Sequence, residues 1–284
     1  MMLVLLAFLA CTEPAEAPKA DAGTCGPEGP RQVAVMTSML FARASEDGVS
    51  EGFDLDGETT VAGGPTGCGI ADYVDPRGNP GIDHGFARII PALMATEAAA
   101  VEGLVQSAIN DGELLLMFDL QGLDDTTTDS CVSLDVTRGM GETALGTDGT
   151  LEWSQTFDRN EAEGSDHVPD AYVEDGALIA RPLDIDLPIQ ILNADLVFHL
   201  HDGGIRIQFE ADGSLSGFFG GAVNNAEIKE VAGTENVDAA LAGLMSDMLD
   251  YNADLSPDAE GVCQQIAMNF EFTAAPAFFF EGEE

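Results

Sequence analysis

The chain has 284 residues, of which 45% are hydrophobic, enough to form the core of one large domain or two small ones. It carries 51 acidic residues against 10 lysines and arginines, so its formal net charge is −41. Nucleic acids and anionic lipid surfaces would repel it, because binding them requires clustered cations. Two explanations of the acidity stay open: a surface adapted to a salty medium, and specific binding of divalent cations.

Residues 1–10 (MMLVLLAFLA) form an apolar stretch directly before Cys11. Ten residues are too few for a transmembrane helix, which needs about 20. The end of the stretch, Phe8-Leu9-Ala10-Cys11, resembles the lipobox of bacterial lipoproteins. This resemblance implies a signal peptide over 1–10 and acyl chains on Cys11, and Thr12 after it implies the outer membrane. The alternative is an ordinary signal peptide with a chance cysteine.

Residues 11–31 are rich in Pro, Ala and Gly, a composition typical of a flexible tether that follows the lipidated Cys11. The remainder, 32–284, is predicted to be a single ectodomain. It begins with an apolar segment over 32–43. Residues 44–83 contain many Gly, Asp and Pro residues without periodicity, which predicts a long acidic loop that something must hold in place.

Residues 84–110 carry apolar residues at helical spacing, with Pro91 opening or kinking the helix and a stop at residues 110–112. From residue 113 the period falls to two, which predicts a β-rich region over 113–223. The individual predictions in that region are strands at 113–123, 131–137 and 151–157, and a meander over 194–223 with turns at 202–204 and 211–214.

A second helix is predicted over 236–250 and a final strand over 266–272. Together these elements predict an α+β fold. Its sheet would be mainly antiparallel, meander-like or sandwich-like, with two packed helices and the long acidic loop.

If Cys11 is lipidated, four cysteines remain, an even number that fits two disulfides in an oxidising compartment. Three pairings are possible. We expect Cys25–Cys68, which would staple the N-terminal loops, and Cys131–Cys263, which would tie back the end of the chain. No zinc site is expected, because no two cysteines have CxxC spacing.

The acidic loop contains Asp54-Leu55-Asp56-Gly57, two carboxylates before a turn-forming glycine. Calcium takes six to eight oxygen ligands at about 2.4 Å, and such a loop supplies them. The segment resembles one unit of the Asp-rich calcium repeats of thrombospondin-type and dockerin-like modules, although Gly57-Glu58 departs from their pattern. The alternative is a solvated acidic loop. The expected calcium ligands are Asp47, Asp54, Asp56, Asp72, Asp75 and Asp83.

Other constellations of reactive residues are weak. His199-x-His201 would place two imidazoles on one strand face, but that face is predicted to be solvated and has no evident third ligand. The sequence lacks the GxSxG, P-loop, HExxH and Rossmann motifs. No catalytic residue is therefore predicted.

The first 125 residues combine the lipobox-like start with GFDLDG over 52–57 and the later residues Gly67-Cys68-Gly69, Asp72 and Pro80–Asp83. This pattern resembles exported lipoproteins of Gram-negative bacteria, and it implies no particular activity. We expect a lipid-anchored cell-envelope protein of the outer membrane with a binding or structural role, stabilised by calcium. Its partners would be the membrane and an envelope protein or polysaccharide, not nucleic acid. The alternatives are a carboxylate-based hydrolase and a carrier of an apolar ligand between sheet and helices.

Overall fold

The computed structural model describes residues 29–96, 100–160, 166–191, 194–232 and 239–280. The predicted signal peptide, Cys11, Cys25 and most of the predicted tether lie outside these residues. The first described strand begins at Arg31, the last residue of the predicted tether.

Twelve strands and four α-helices lie within the described residues. In chain order they are β1 Arg31–Phe41, β2 Tyr73–Val74, β3 Pro80–Ile82, α1 Ile90–Leu93, α2 Val101–Asn110, β4 Leu116–Gln121, β5 Asp129–Met140, β6 Gln155–Arg159, β7 Asp166–Glu174, β8 Ala177–Ile191, β9 Ala194–Phe209, β10 Leu215–Asn224, α3 Asn225–Ala232, α4 Ala239–Asn252, β11 Leu255–Pro257 and β12 Cys263–Phe279.

Eight of these strands close into an antiparallel β-barrel. The ring runs β1-β4-β5-β7-β8-β9-β10-β12, and each strand pairs antiparallel with the next. The last strand, β12, then pairs antiparallel with β1, with Ala34 opposite Pro276 and Phe41 opposite Phe270. This pairing leaves no free edge in the ring. Strand β6 pairs parallel with β12 outside the ring, and β11 pairs with the start of β12.

The predicted α+β fold with a meander-like or sandwich-like sheet is wrong. The sheet closes on itself, and its four short helices make up about 17% of the structure. The predicted turn at 202–204 is also wrong, because β9 continues through it. Asp202 adopts φ 52° at a β-bulge, and Gly203 lies too close to the Gly220 backbone for any side chain. The turn at 211–214 is confirmed, since Glu210 N donates to Ser214 O (3.0 Å).

The predicted helix over 84–110 is divided. A 3-10 turn spans Gly85–Arg88, Pro91 lies in the first turn of α1, and α2 begins at Val101. The predicted stop is confirmed: α2 ends at Asn110, and Gly112 has φ 78°. The predicted helix over 236–250 corresponds to α4, whereas α3 was not predicted. None of the described helices is long and apolar enough to cross a membrane.

The barrel interior is filled by large apolar side chains rather than open. Phe219 stacks on Phe270 with ring centroids 5.4 Å apart, and Phe118 packs against Phe272 at 4.9 Å. All four rings belong to one continuous core that includes residues from every strand of the ring. Because alternate residues of a strand point to opposite faces, this packing fixes which residues face outward.

Helix α2 covers one end of the barrel. It contacts both β1 and β8, which lie on opposite sides of the ring. Its apolar face, Val105, Ala108 and Ile109, is buried in the barrel core. This placement follows from the amphipathic pattern of the segment, which needs an apolar surface to cover.

An outward-facing ion cluster joins β1, β4 and β6. The side chain of Asp119 is fully buried (0% exposed) and accepts bonds from Arg31 Nε at 2.7 Å and Arg159 Nη2 at 2.6 Å. Both guanidinium groups also lie over the ring of Phe279. Burial alone would raise the pKa of Asp119, but the hydrogen bonds and charges of Arg31 and Arg159 lower it.

We expect Asp119→Asn to lower the free energy of unfolding by roughly 2 to 3 kcal/mol, because it leaves two partly exposed arginines without their carboxylate. A carboxyl group with a lowered pKa stabilises the fold above about pH 4, and this contribution disappears as the pH falls further. The difference between wild type and variant should therefore be full at pH 7 and shrink in acid.

Urea unfolding at pH 7 and again below about pH 4 measures this difference in unfolding free energy. The matched control is Asp170→Asn, a change of one exposed carboxylate on β7, which should have little effect. Equal urea midpoints for wild type and Asp119→Asn at pH 7 would contradict the expectation.

Candidate metal centre

The acidic loop, residues 44–83, packs on the outer wall of the barrel formed by β9, β10 and β12. The Phe53 ring lies 5.2 Å from the Phe218 ring and beneath the Arg181 guanidinium. Leu55 packs on a small outer cluster made of Ala222, Leu255 and Ala267. The wall therefore presents apolar residues on its outside as well as its inside, and the loop covers them.

A tight contact fixes the end of this loop to the wall. Gly52 has φ +155°, and a Cβ there would lie 2.6 Å from the side-chain nitrogen of Asn269. The same amide of Asn269, which is buried on β12, donates to the carbonyl of Asp83 at 3.1 Å. Phe53 and Asp83 also form an antiparallel bridge. Residues 52–54 and 83 are thus held side by side.

Three carboxylates converge where these two segments meet. One oxygen each from Asp54, Asp56 and Asp83 lies within 4.8 Å of the other two. Asp54 is half-buried, Asp56 is exposed and Asp83 is 1% exposed. Such a set of hard oxygen donors suits a divalent cation such as calcium.

Each of the three carboxylates uses one oxygen to hold the loop. Asp54 Oδ1 accepts the Gly57 N–H (2.7 Å), Asp56 Oδ1 accepts the Glu58 N–H (2.8 Å), and Asp83 Oδ2 accepts the Leu55 N–H (2.7 Å). The second oxygen of each receives no hydrogen bond from any described residue. For Asp83 this is a notable deficit, because its Oδ1 is completely shielded from solvent.

Burial raises the pKa of Asp83 to about 8, and the negative charges of Asp254, Asp56 and Asp72 add to the effect of burial. The backbone bond from Leu55 acts in the opposite direction but does not outweigh burial. Arg181 interacts electrostatically with Asp83, but its guanidinium group donates to the Asp54 carbonyl rather than to a carboxylate of this group. A bound cation would supply positive charge in direct contact with an ionised Asp83.

The other three predicted ligands lie outside this group. Asp72 is close enough for its pKa to be raised, first by burial and then by Asp56 and Asp54, but its Oδ2 accepts the Thr60 N–H. Asp75 holds the turn between β2 and β3 through bonds from Arg77 and Asn79. Asp47 is exposed in the turn that joins Ser45 to Val49.

Two buried polar residues next to the centre were not predicted. Asp254 accepts the N–H groups of Gly85 (2.6 Å) and Ala267 (2.8 Å), and burial raises its pKa to about 7. His84 bonds through Nδ1 to Ser50 Oγ (2.7 Å), and burial lowers its pKa to about 3. Their partners are mostly far along the chain, so no local pattern could have revealed them.

The two outward-facing histidines do not form a metal site, because no third ligand joins them among the described residues. His199 Nδ1 bonds to Asp186 Oδ1 at 2.6 Å across the β8–β9 pair, and the rings of His199 and His201 lie 6.1 Å apart. Among the described residues, only the Asp54, Asp56 and Asp83 group brings three ligating side chains together.

A disulfide joins the acidic loop to the barrel, but not with the predicted pairing. Cys68 is bonded to Cys263, the first residue of β12, across 195 positions of sequence. The predicted pairs Cys25–Cys68 and Cys131–Cys263 are therefore wrong, although disulfide bonding itself is confirmed and Cys131 is also oxidised. The pairing depends on how the loop folds back over β12, which the spacing of cysteines does not encode.

No protein-family model, no curated protein and no solved structure matches this chain.

We expect the double variant Cys68→Ser/Cys263→Ser to lose roughly 2 to 5 kcal/mol of unfolding free energy, because the cross-link closes a long loop. Urea unfolding of wild type and variant without reductant measures the loss, because reductant would also break the disulfide of Cys131 in both proteins. Peptide mapping under non-reducing conditions should recover the Cys68 and Cys263 peptides joined, and a linked Cys25–Cys68 peptide would contradict the pairing.

Proposed function

We propose that this protein is a lipid-anchored component of the bacterial cell envelope with a binding or structural role. Its acidic loop holds calcium between Asp54, Asp56 and Asp83, and the bound ion stabilises the loop against the barrel wall. The membrane is its partner through the acyl chains of Cys11, in the outer membrane, and an envelope protein or polysaccharide is the expected macromolecular partner.

One observation supports the cation most directly. Asp83 is buried, its Oδ1 has no hydrogen-bond partner among the described residues, and its carboxylate lies within 4.8 Å of those of Asp54 and Asp56. Three ionised carboxylates at this separation repel one another, and a cation between them would remove the repulsion. Carbonyl groups and water would supply the remaining oxygen ligands.

The two alternative functions stay predictions. The barrel interior, filled by rings such as Phe118 and Phe219, gives no support to a carrier of apolar ligands in a cavity between sheet and helices. A carboxylate-based hydrolase needs two carboxyl groups on either side of a substrate cleft, with environments that give them different pKa values. At the metal centre the carboxylates converge on one point instead, which favours a cation.

We expect calcium to raise the melting temperature of the full-length protein relative to a chelator, at fixed high ionic strength that suppresses general screening. At about a hundredfold excess over Kd the stabilisation is about 2.7 kcal/mol. For a domain of this size that corresponds to roughly 5 °C or more. Asp83→Asn should abolish the shift, because it removes the buried charge that faces the ion.

The matched control is Asp47→Asn, which makes the same change of charge elsewhere in the loop and should keep the full shift. Asp54→Asn, at a half-buried position, reports on the site if Asp83→Asn fails to fold. An absent shift in the wild type, or a full shift in Asp54→Asn, would contradict the proposal and leave the acidity as a solubility adaptation.

For the anchor, we expect the wild-type protein to fractionate with membranes and its mature N-terminal peptide to carry acyl chains on Cys11. Cys11→Ser should release the protein into the soluble fraction, because no acylated cysteine remains to hold it. Mass spectrometry of the N-terminal peptide shows where the mature chain starts and whether it carries acyl chains. A mature chain that starts elsewhere and carries no acyl chain would overturn lipid anchoring and indicate an ordinary signal peptide.

A further inference from the structure

Arg206, on the outer wall, is exceptional among the described cations. Every other described lysine and arginine has a hydrogen-bond or ion-pair partner within the protein. Arg206 has no hydrogen-bond or ion-pair partner among the described residues, although it is half-buried and the chain contains 51 acidic residues. A guanidinium group with five unused donors at a partly buried position is a ready recognition group for a carboxylate.

Arg206 lines a half-open cavity of about 320 Å³ between the acidic loop and the barrel wall. The wall contributes one row of cross-strand neighbours: Arg206 on β9 lies opposite Phe218 on β10, which lies opposite Glu271 on β12. The loop contributes Glu51, Pro76 and Arg77. Positive and negative groups therefore stand at opposite ends of a row with an aromatic ring between them.

The two glutamates that line this cavity also lack hydrogen-bond donors among the described residues. Neither the Glu51 nor the Glu271 carboxylate accepts a hydrogen bond from a described residue, whereas Arg77 is already paired with Asp75 (3.1 Å). Burial raises the pKa of Glu51, and the nearby Arg206 charge offsets part of that effect. The cavity thus offers a ligand one guanidinium group and two carboxylates that make no hydrogen bond with a described residue, although Arg206 and Glu51 interact electrostatically.

We propose that this cavity binds a free α-amino acid as its zwitterion. The carboxylate of the ligand pairs with Arg206, its ammonium group pairs with Glu271 and Glu51, and its side chain lies against Phe218 and Pro76. A simple anion would meet two glutamates and a simple cation two arginines, so only a ligand with both charges is favoured at both ends.

The spacing of the row allows a small ligand to lie between its two ends. The backbones of Arg206 and Glu271 stand two strands apart, about 9.5 Å, on either side of Phe218. An ammonium group and a carboxylate joined through one carbon atom are short enough to lie between the two side chains. The inference goes beyond the proposed function and does not require the metal centre, because the row belongs to the barrel strands.

Isothermal titration of the full-length protein, in saturating calcium, tests the proposal with L-leucine and glycine. Two analogues separate the charges: N-acetyl-L-leucine lacks the ammonium group, and L-leucine methyl ester lacks the carboxylate. We expect L-leucine to bind and each analogue to bind about tenfold more weakly or worse. No binding of either amino acid, or binding of either analogue as tight as that of L-leucine, would overturn the proposal.

Arg206→Gln and Glu271→Gln should each weaken L-leucine binding about tenfold or more, with little loss of melting temperature, since neither side chain makes a hydrogen bond with a described residue. The controls Lys229→Gln and Glu230→Gln on α3 change the net charge equally and should leave the affinity unchanged. Unchanged affinity in Arg206→Gln would overturn the inference. An absent calcium shift with intact leucine binding would overturn the metal centre alone.

Discussion

The pairing of β1 with β12 is the interaction on which the rest of the structure depends. It joins the two ends of the described chain and converts an open sheet into a closed barrel. Because β12 also pairs with β10 and β11, it becomes the wall on which the acidic loop rests. This strand carries Cys263, which anchors the loop covalently, Asn269, which bonds to Asp83, and Glu271, which lines the outer cavity.

The distribution of charge explains why the two sites are where they are. A buried carboxylate is costly unless donors or cations compensate it. Asp119 has two arginines, and Asp254 has two backbone N–H groups. Within the described part of the chain, Asp83 has only one such bond, and Arg206 has no hydrogen-bond or ion-pair partner. In a chain of net charge −41 these two deficits mark the places where we propose that a ligand binds.

Both sites share the acidic loop and the barrel wall, yet they use them differently. At the metal centre the loop supplies all three carboxylates, and the wall only fixes their positions. In the outer cavity the wall supplies the row from Arg206 to Glu271, and the loop supplies Glu51, Pro76 and Arg77. Binding groups on a loop that a rigid barrel positions are a common arrangement, because the scaffold limits the entropy lost on binding.

Local pattern determined much of the secondary structure. Alternation predicted the strands around Leu215–Val223 and Ile266–Phe272, glycine and asparagine marked the end of α2, and the Asp54-x-Asp56 phrase contained two of the three carboxylates that converge. Only the tertiary structure decided that the sheet closes, that Cys68 meets Cys263, that Asp83 joins Asp54 and Asp56 while Asp72 and Asp75 do not, and that Arg206 and Glu271 share a row. These features depend on strand register between distant segments, and a shift of one residue would turn every side chain of a strand to the opposite face.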